Sequence, residues 1–401
     1  MNIFKKIYCR AFQSVLKLAI PLLPYREPVL LDDYAELAKE LLSSECKSVL
    51  LVTDKTIRGL GLTDALVSQL EEKGIKVAIF DETVANPTTD NVAKALGLYH
   101  AFDCKALIGF GGGSAIDCAK AVGARVACPK KSLMKMKGIL KVRRKLPPLC
   151  AIPTTAGTGS ETTIASVITD SVSRHKYAIN DFPLIPKYAI LDANLTLGLP
   201  QFVTATTGMD ALTHAVEAYI GKSTTKQTRQ QSIMAIKLIF ENLLTAYNDG
   251  SNLKARQNML YASYLAGLAF TKSYVGYVHA VAHSLGGKYN LPHGEANAIC
   301  LPVVIKKYGR SIYKKLYKIA TQIGLCSPAT SKEVASKIFI ESIEILNKKM
   351  SIRDKIPEIK GRDIPELAAT AEKEANPLYP VPKLFTVKEL EKIYSEVSDG
   401  Q

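Results

Sequence analysis

The chain has 401 residues, a hydrophobic fraction of 47% and a formal net charge of +15. That length and apolar content argue against a disordered chain and leave room for two domains, each with its own core. Eight cysteines (Cys9, Cys46, Cys104, Cys118, Cys128, Cys150, Cys300 and Cys326) are scattered without a CxxC pair, which argues against a disulfide framework or zinc ribbon and for reduced thiols in a cytoplasmic protein.

The N-terminal stretch MNIFKKIYCRAFQSVLKLAIPLLPYREP mixes Lys5, Lys6, Arg10 and Lys17 with bulky apolar residues. Its longest uncharged apolar run, Leu18 to Leu23, is broken by Pro21 and is far shorter than the roughly 20 residues of a membrane span. No small-residue cleavage site follows, so neither a secretory signal nor a transmembrane segment is expected. The segment reads as a helix packed on its own domain, with lipid contact or packing on a neighbouring subunit as alternatives.

Strand and helix patterns then alternate. CKSVLLVTD reads as a buried strand ending at Asp54, LTDALVSQLEEKG as an amphipathic helix closed by Gly74, and IKVAIFDE as the next strand. A helix is predicted from Asp90 to Phe102. CKALIGFGGGSAIDCAKAVGA supplies strand, glycine turn and helix, and PLCAIPTTAGTGSE a further strand with a small-residue loop. Such alternation predicts a mainly parallel sheet covered on both faces.

Between Pro129 and Leu146, Lys130, Lys131, Lys135, Lys137, Lys141, Arg143, Arg144 and Lys145 occur with no acidic residue. Charge of this kind attracts polyanions non-specifically. No aromatic residue interleaves it to stack on bases, so a solvated connection without a specific nucleic-acid partner is expected. After Pro200 the periodicity is helical, as in QQSIMAIKLIFENLLTAYN and KEVASKIFIESIEILNKK. The predicted organisation is an α/β dinucleotide-binding domain over 1–199, with 1–28 as an N-terminal extension, and an all-α catalytic domain over 200–401.

Glycines in Gly111-Gly112-Gly113-Ser114 let the backbone approach a phosphate, and the helix start behind them offers free amides. The motif departs from G-x-G-x-x-G, because Ser114 occupies the last place. The hydroxyl-rich loop from Pro153 to Glu161 follows a second strand end. With Asp54 at a third, a dinucleotide site is indicated, and the acidic residue favours NAD over NADP.

The chain has six histidines, and four of them lie between residues 214 and 293. Asp210 and His214 share one helix face, His279 and His283 repeat that spacing of four, and His293 follows a turn. One carboxylate with three imidazoles suits Fe(II) or Zn(II) better than Mg or Ca. Spacing alone leaves open whether His283 is a fifth ligand or an acid/base. A divalent cation that polarises a substrate oxygen, next to a nicotinamide, would support hydride transfer between alcohol and carbonyl.

The motifs NPTTDNV, GFGGGSAIDCAK, LPPLCAIPTTAGTGSE, LDANLTLGLP, GMDALTHAVEAY and VHAVAHSLGGKYNLPHGEANAI, in this order, resemble those of the iron-containing (group III) alcohol dehydrogenases, which include lactaldehyde reductases and butanol dehydrogenases. The resemblance runs from about Asp54 to about Asn297 and weakens over the C-terminal helices. It implies a dehydroquinate synthase-like architecture with the active site in a cleft. It further implies metal ligands Asp210, His214, His279 and His293, with His283 catalytic beside the nicotinamide. Cofactor contacts would come from Asp54, Gly112, Gly113, Ser114, Asp117, Thr154, Thr155 and Thr158, with Lys176 and Leu195 as further carry-overs. The implied activity is NAD(P)-dependent oxidoreduction of small primary alcohols or diols and their aldehydes, in a homo-oligomer. A dehydroquinate synthase-like or glycerol dehydrogenase-like enzyme is the alternative.

Overall fold

The computed structural model describes residues 3–399. These divide into two compact units, one of residues 24–198 and one of residues 3–23 with 199–399.

The first unit is built on a six-stranded sheet. In chain order its strands are β1 (Val29–Leu31), β2 (Ser48–Val52), β3 (Lys76–Phe80), β4 (Ala106–Gly111), β6 (Leu149–Pro153) and β9 (Tyr188–Ile190), and their spatial order is β1-β9-β6-β4-β2-β3. Every neighbouring pair is parallel. A parallel sheet buries both faces, and strand β2 (SVLLV) is accordingly buried along its whole length. Its side chains alternate: Leu50 and Val52 join one apolar cluster, Val49 and Leu51 the other. Helices α5 (Thr89–Ala101) and α6 (Gly113–Ala127) cover the first face through Val92, Ala95, Ala119 and Val122. Helices α2 (Tyr34–Ser43) and α4 (Asp64–Glu72) cover the second through Leu37, Leu41, Leu66 and Leu70.

A small second sheet was not expected from sequence. Strand β7 (Ala165–Thr169) pairs antiparallel with β8 (Lys176–Asn180), and β5 (Gly138–Ile139) runs parallel to β8. Strand β5 lies in the lysine-rich run, just after the short helix α7 (Leu133–Met136). Leu133, Met136, Val142 and Leu146 point into the core while all eight basic side chains of the run are exposed. The Asp181 carboxylate accepts from the Val142 and Arg143 amides at 2.8 and 2.9 Å, which ties the run down.

In the second unit, helix α8 (Gln201–Ile220) is buried from Gly208 to Ile220. It packs against α9 (Lys226–Asn248), α10 (Leu253–Ser273) and α12 (His293–Tyr308), and α12 packs on α11 (Tyr277–Tyr289). Further helices are α13 (Tyr313–Gln322), α14 (Lys332–Lys349), α15 (Ile364–Ala375) and α16 (Val387–Val397).

The N-terminal helix α1 (Ile3–Ala19) belongs to this helical unit, although sequence reading groups the extension with the α/β half. The reason is polar. Arg10 donates to the Val381 and Pro382 carbonyls at 2.7 and 3.1 Å, Gln13 donates to the Tyr379 carbonyl at 2.7 Å, and Lys5 pairs with Glu372. Among the described residues no helix is long and apolar enough to cross a membrane.

Candidate functional site

In the α/β unit, β2, β4 and β6 are neighbours, so their carboxyl ends lie side by side. Asp54 follows β2 and caps helix α3 (Lys55–Gly59), accepting from the Ile57 amide at 3.0 Å. Gly112 is the N-cap of α6, and no side chain caps the first amides of that helix. The loop after β6 meets this turn directly: the Thr154 amide donates to the Gly111 carbonyl at 3.1 Å. A Cβ on Gly113 would come within 2.9 Å of the Thr158 side chain, so only glycine permits the approach. The same construction on Gly112 would stand 3.7 Å from Thr155, and one on Gly111 3.7 Å from Asp54. Asp54, Gly112, Gly113, Thr154, Thr155 and Thr158 are thereby brought together at the carboxyl ends of β2, β4 and β6. Backbone amides at a helix start beside small hydroxyls suit a pyrophosphate.

The remaining residues named from sequence lie differently. Ser114 Oγ accepts from the Asn86 amide at 3.3 Å, and Lys176 Nζ donates to Asn86 Oδ1 at 2.6 Å, so both border the turn through Asn86. Asp117 is committed to the protein: its carboxylate accepts from Ser160 Oγ at 2.7 Å and from the Val167 amide at 3.0 Å. Leu195 is buried in the apolar cluster. Sequence reading missed Lys120, whose buried Nζ donates to the Ser160, Thr163 and Ala165 carbonyls at 2.6, 3.0 and 2.9 Å and so anchors the hydroxyl-rich loop. Its spacing of three from Asp117, on the same helix face, was the available signal.

In the helical unit, α8 supplies Asp210 and His214, α11 supplies His279 and His283, and α12 begins at His293. Asp210 Oδ1 lies 3.3 Å from His293 Nε2, 3.8 Å from His279 Nε2 and 4.0 Å from His214 Nδ1. The ligand atoms of Asp210, His279 and His293 all lie within 4.8 Å of one another. His214 stands beside this trio, its ring stacked 4.1 Å from Phe270 and 4.4 Å from His279.

These residues fit a divalent cation. Among the described residues His279 Nε2 and His214 Nδ1 are buried with no hydrogen-bond partner, an expensive state for an imidazole lone pair unless something accepts it. Ligand atoms around a tetrahedral cation bound at about 2.0–2.1 Å lie about 3.4 Å apart, close to the separations from Asp210. Burial pushes His214 down to about 3, which keeps its ring neutral, as a ligand must be. Burial opposes ionisation of Asp210, but His214 and His293 outweigh it and hold the carboxyl below its ordinary range.

Three supporting groups escaped sequence reading. Glu217 is buried and accepts from His279 Nδ1 at 2.7 Å and from the Gly276 and Val278 amides at 2.8 Å. Burial pushes this carboxyl up, while the three donors favour its ionised form. A Cβ on Gly276 would meet Glu217 Oε1 at 2.6 Å, so the close approach needs glycine. Asn297 Nδ2 donates to Asp210 Oδ1 at 2.7 Å and lies 3.1 Å from His293 Nε2. Glu374, on α15, lies 2.6 Å from His283 Nδ1 and accepts from the Tyr379 hydroxyl at 2.8 Å. His283 is itself exposed, its ring stacked 5.1 Å from that of His293. Glu217 follows His214 by three and Asn297 follows His293 by four, spacings that place each on the helix face of that histidine.

Residues 31–193 match the iron-containing alcohol dehydrogenase family, and residues 204–398 match the C-terminal part of the Fe-containing alcohol dehydrogenase family. A 1,3-propanediol dehydrogenase of Citrobacter freundii is 40% identical over 354 residues, covering 87% of this chain and 91% of its own length. An NAD-dependent methanol dehydrogenase of Bacillus methanolicus is 36% identical over 338 residues, covering 84% of this chain and 88% of its own. The crystal structure of a 1,3-propanediol oxidoreductase superposes with a TM-score of 0.89 at 37% identity, covering 93% of this chain and 99% of that one. Motif order, sheet topology and the buried carboxylate–imidazole cluster therefore converge: the chain belongs to the iron-containing alcohol dehydrogenase family and is a metal-dependent alcohol oxidoreductase.

Proposed function

We propose that the protein interconverts small primary alcohols or diols and their aldehydes with NAD as hydride carrier, using a divalent cation held by Asp210, His214, His279 and His293. The observation that carries this reading is the pair of buried, partnerless imidazole nitrogens on His279 and His214 facing the Asp210 carboxylate. A cation bound there would supply Lewis acidity toward a substrate oxygen. Fe(II) is the first choice from the family and Zn(II) the second, because the donor set accommodates both.

The remaining work falls to the chain's own groups. Asp210 contributes the negative charge of the cluster, and Glu217 holds His279 in the tautomer that presents Nε2. His283, exposed and backed by Glu374, is suited to pass a proton between a substrate hydroxyl and water. The amides at the start of α6 and the hydroxyls of Thr155 and Thr158 suit the pyrophosphate of NAD. The Asp54 carboxylate suits a ribose diol and disfavours the extra phosphate of NADP. The NAD-dependent relative from Bacillus methanolicus supports the cofactor choice, and the eight free cysteines support a reducing, cytoplasmic setting. A homo-oligomer is carried over from the family resemblance.

Metal analysis of protein purified without oxygen, paired with a screen of alcohols and aldehydes against NAD(H) and NADP(H), tests the reading. Stoichiometric NADH formation from a short alcohol or diol, dependent on bound iron or zinc, is expected. Turnover unaffected by complete removal of metal would overturn it.

A further inference from the structure

Helix α1 is amphipathic the wrong way round for a helix packed on its own domain. Its polar side faces the protein: Gln13 is buried, and Arg10 and Gln13 reach the carbonyls of residues 377–382. Its apolar side faces solvent. Phe4 is 77% exposed, Val15 67%, Leu18 76% and Leu22 86%, and Tyr8 and Phe12 are exposed between them. The spacings 4, 8, 12, 15 and 18 follow the helical repeat, so these side chains form one continuous stripe, and Leu22, in the 3-10 turn Ile20–Leu22 that follows α1, adds a further exposed apolar side chain. Buried Cys9, Gln13 and Ile20 lie on the opposite side of the helix. This segment precedes residue 31, where the family match begins, so the shared alcohol chemistry does not account for it.

The charged side chains of α1 itself have one sign. Lys6 and Lys17 run along one side at helical spacing together with Arg10, whose guanidinium is turned inward to the Val381 and Pro382 carbonyls, Lys5, paired with Glu372, lies on the other, and residues 3–19 contain no acidic side chain.

We propose that the outer face of α1 is a docking surface for an anionic lipid bilayer, with the helix lying in the plane of the headgroups. A stripe of Phe, Leu and Val bordered only by lysine and arginine complements acyl chains beneath phosphates, and polar anchoring from behind keeps the stripe outward. At 17 residues the helix is too short and too charged to cross the bilayer. A second copy of the chain complements the face poorly, because a two-fold contact would set Lys6, Arg10 and Lys17 near their own counterparts. Nucleic acid would use the charge but not the stripe.

The test is co-sedimentation of the full-length, metal-loaded protein with phosphatidylcholine vesicles, with and without phosphatidylserine. Binding at least about tenfold tighter to the anionic vesicles, and weakened by salt, is expected. The Leu18→Asp/Leu22→Asp variant and the Lys6→Glu/Lys17→Glu variant should each lose that binding while keeping wild-type alcohol oxidation in solution, which shows that they fold. Equal or absent binding to the two vesicle types overturns the proposal. So does self-association of the wild type, by sedimentation velocity, that Leu18→Asp/Leu22→Asp abolishes, since a second copy would then be the occupant.

Discussion

Glu217 Oε2 lies 2.7 Å from His279 Nδ1, and both side chains are buried. The opposite nitrogen of the ring, Nε2, has no hydrogen-bond partner and faces Asp210 Oδ1 at 3.8 Å. A carboxylate behind an imidazole fixes the tautomer and raises the basicity of the far nitrogen. Glu217→Gln should therefore weaken metal binding by about 10–100-fold, the usual effect of losing such support. Titration of bound metal against a competing chelator would measure this. An unchanged affinity would mean that His279 does not depend on Glu217 for its orientation.

The cluster itself is tested by His279→Ala and His293→Ala. Each removes one imidazole of the trio around Asp210. Metal content should collapse, and alcohol oxidation should fall roughly a thousandfold, the equivalent of several kcal/mol of lost Lewis-acid stabilisation. NAD binding, followed by fluorescence, should persist because the loops proposed to hold it belong to the other unit. Normal turnover in either variant would remove that histidine from the ligand set.

His283 should behave differently from its neighbours. It is exposed, and its Nδ1 is held by Glu374 rather than turned toward Asp210. His283→Ala should retain metal yet slow turnover by about 10²–10⁴, the usual worth of a positioned acid/base. Glu374→Gln should produce a smaller loss in the same direction. Loss of metal in His283→Ala would make that residue a ligand.

How much was legible in sequence depended on how rare and how local each signal was. Strands β2, β4 and β6 stood out because each is an apolar run closed by glycine or a polar loop. Strands β5, β7 and β8 did not, because β5 has only two residues and β7 and β8 alternate buried positions with half-buried or exposed ones, unlike the wholly buried β2, β4 and β6. The metal-site histidines were visible because the residue is scarce here and two of them share helical spacing. Glu217, Asn297 and Glu374 were not, because such residues are common on helices, and their partners lie as far as 91 positions away in sequence. The attachment of α1 was hidden for the same reason, since Arg10 and Val381 are 371 positions apart.

The proposed preference for NAD is tested at Asp54. Its carboxylate sits at the end of β2, and one oxygen would stand only 3.7 Å from a Cβ built on Gly111 of the glycine turn. Asp54→Gly removes the charge that opposes a phosphorylated ribose, at the loss of only a few tenths of a kcal/mol in helix capping. The ratio of kcat/KM for NADP to that for NAD should rise by about tenfold or more, corresponding to the removal of roughly 1.4 kcal/mol of repulsion. An unchanged ratio would place the discriminating charge elsewhere.

Glu161 makes the stability of the protein depend on pH. It is buried at the end of the hydroxyl-rich loop, and among the described residues its Oε1 has no hydrogen-bond partner. Burial pushes its carboxyl up to about 7, despite its own backbone amide and Lys120, which both favour the charged form. An unfolded chain releases that proton near pH 4.5, so between about 4.5 and 7 the folded state binds more protons than the unfolded one. Stability contributed by the neutral carboxyl is therefore complete below about 4.5 and is lost as pH rises through about 7, by roughly 3 kcal/mol. Glu161→Gln keeps the shape and removes the titration. Calorimetric melting of both proteins from pH 5 to pH 8 should show the variant gaining on the wild type by several degrees across that interval. A gap that stays constant over the interval would mean that Glu161 is already ionised in the folded protein at pH 5, with Lys120 as its partner.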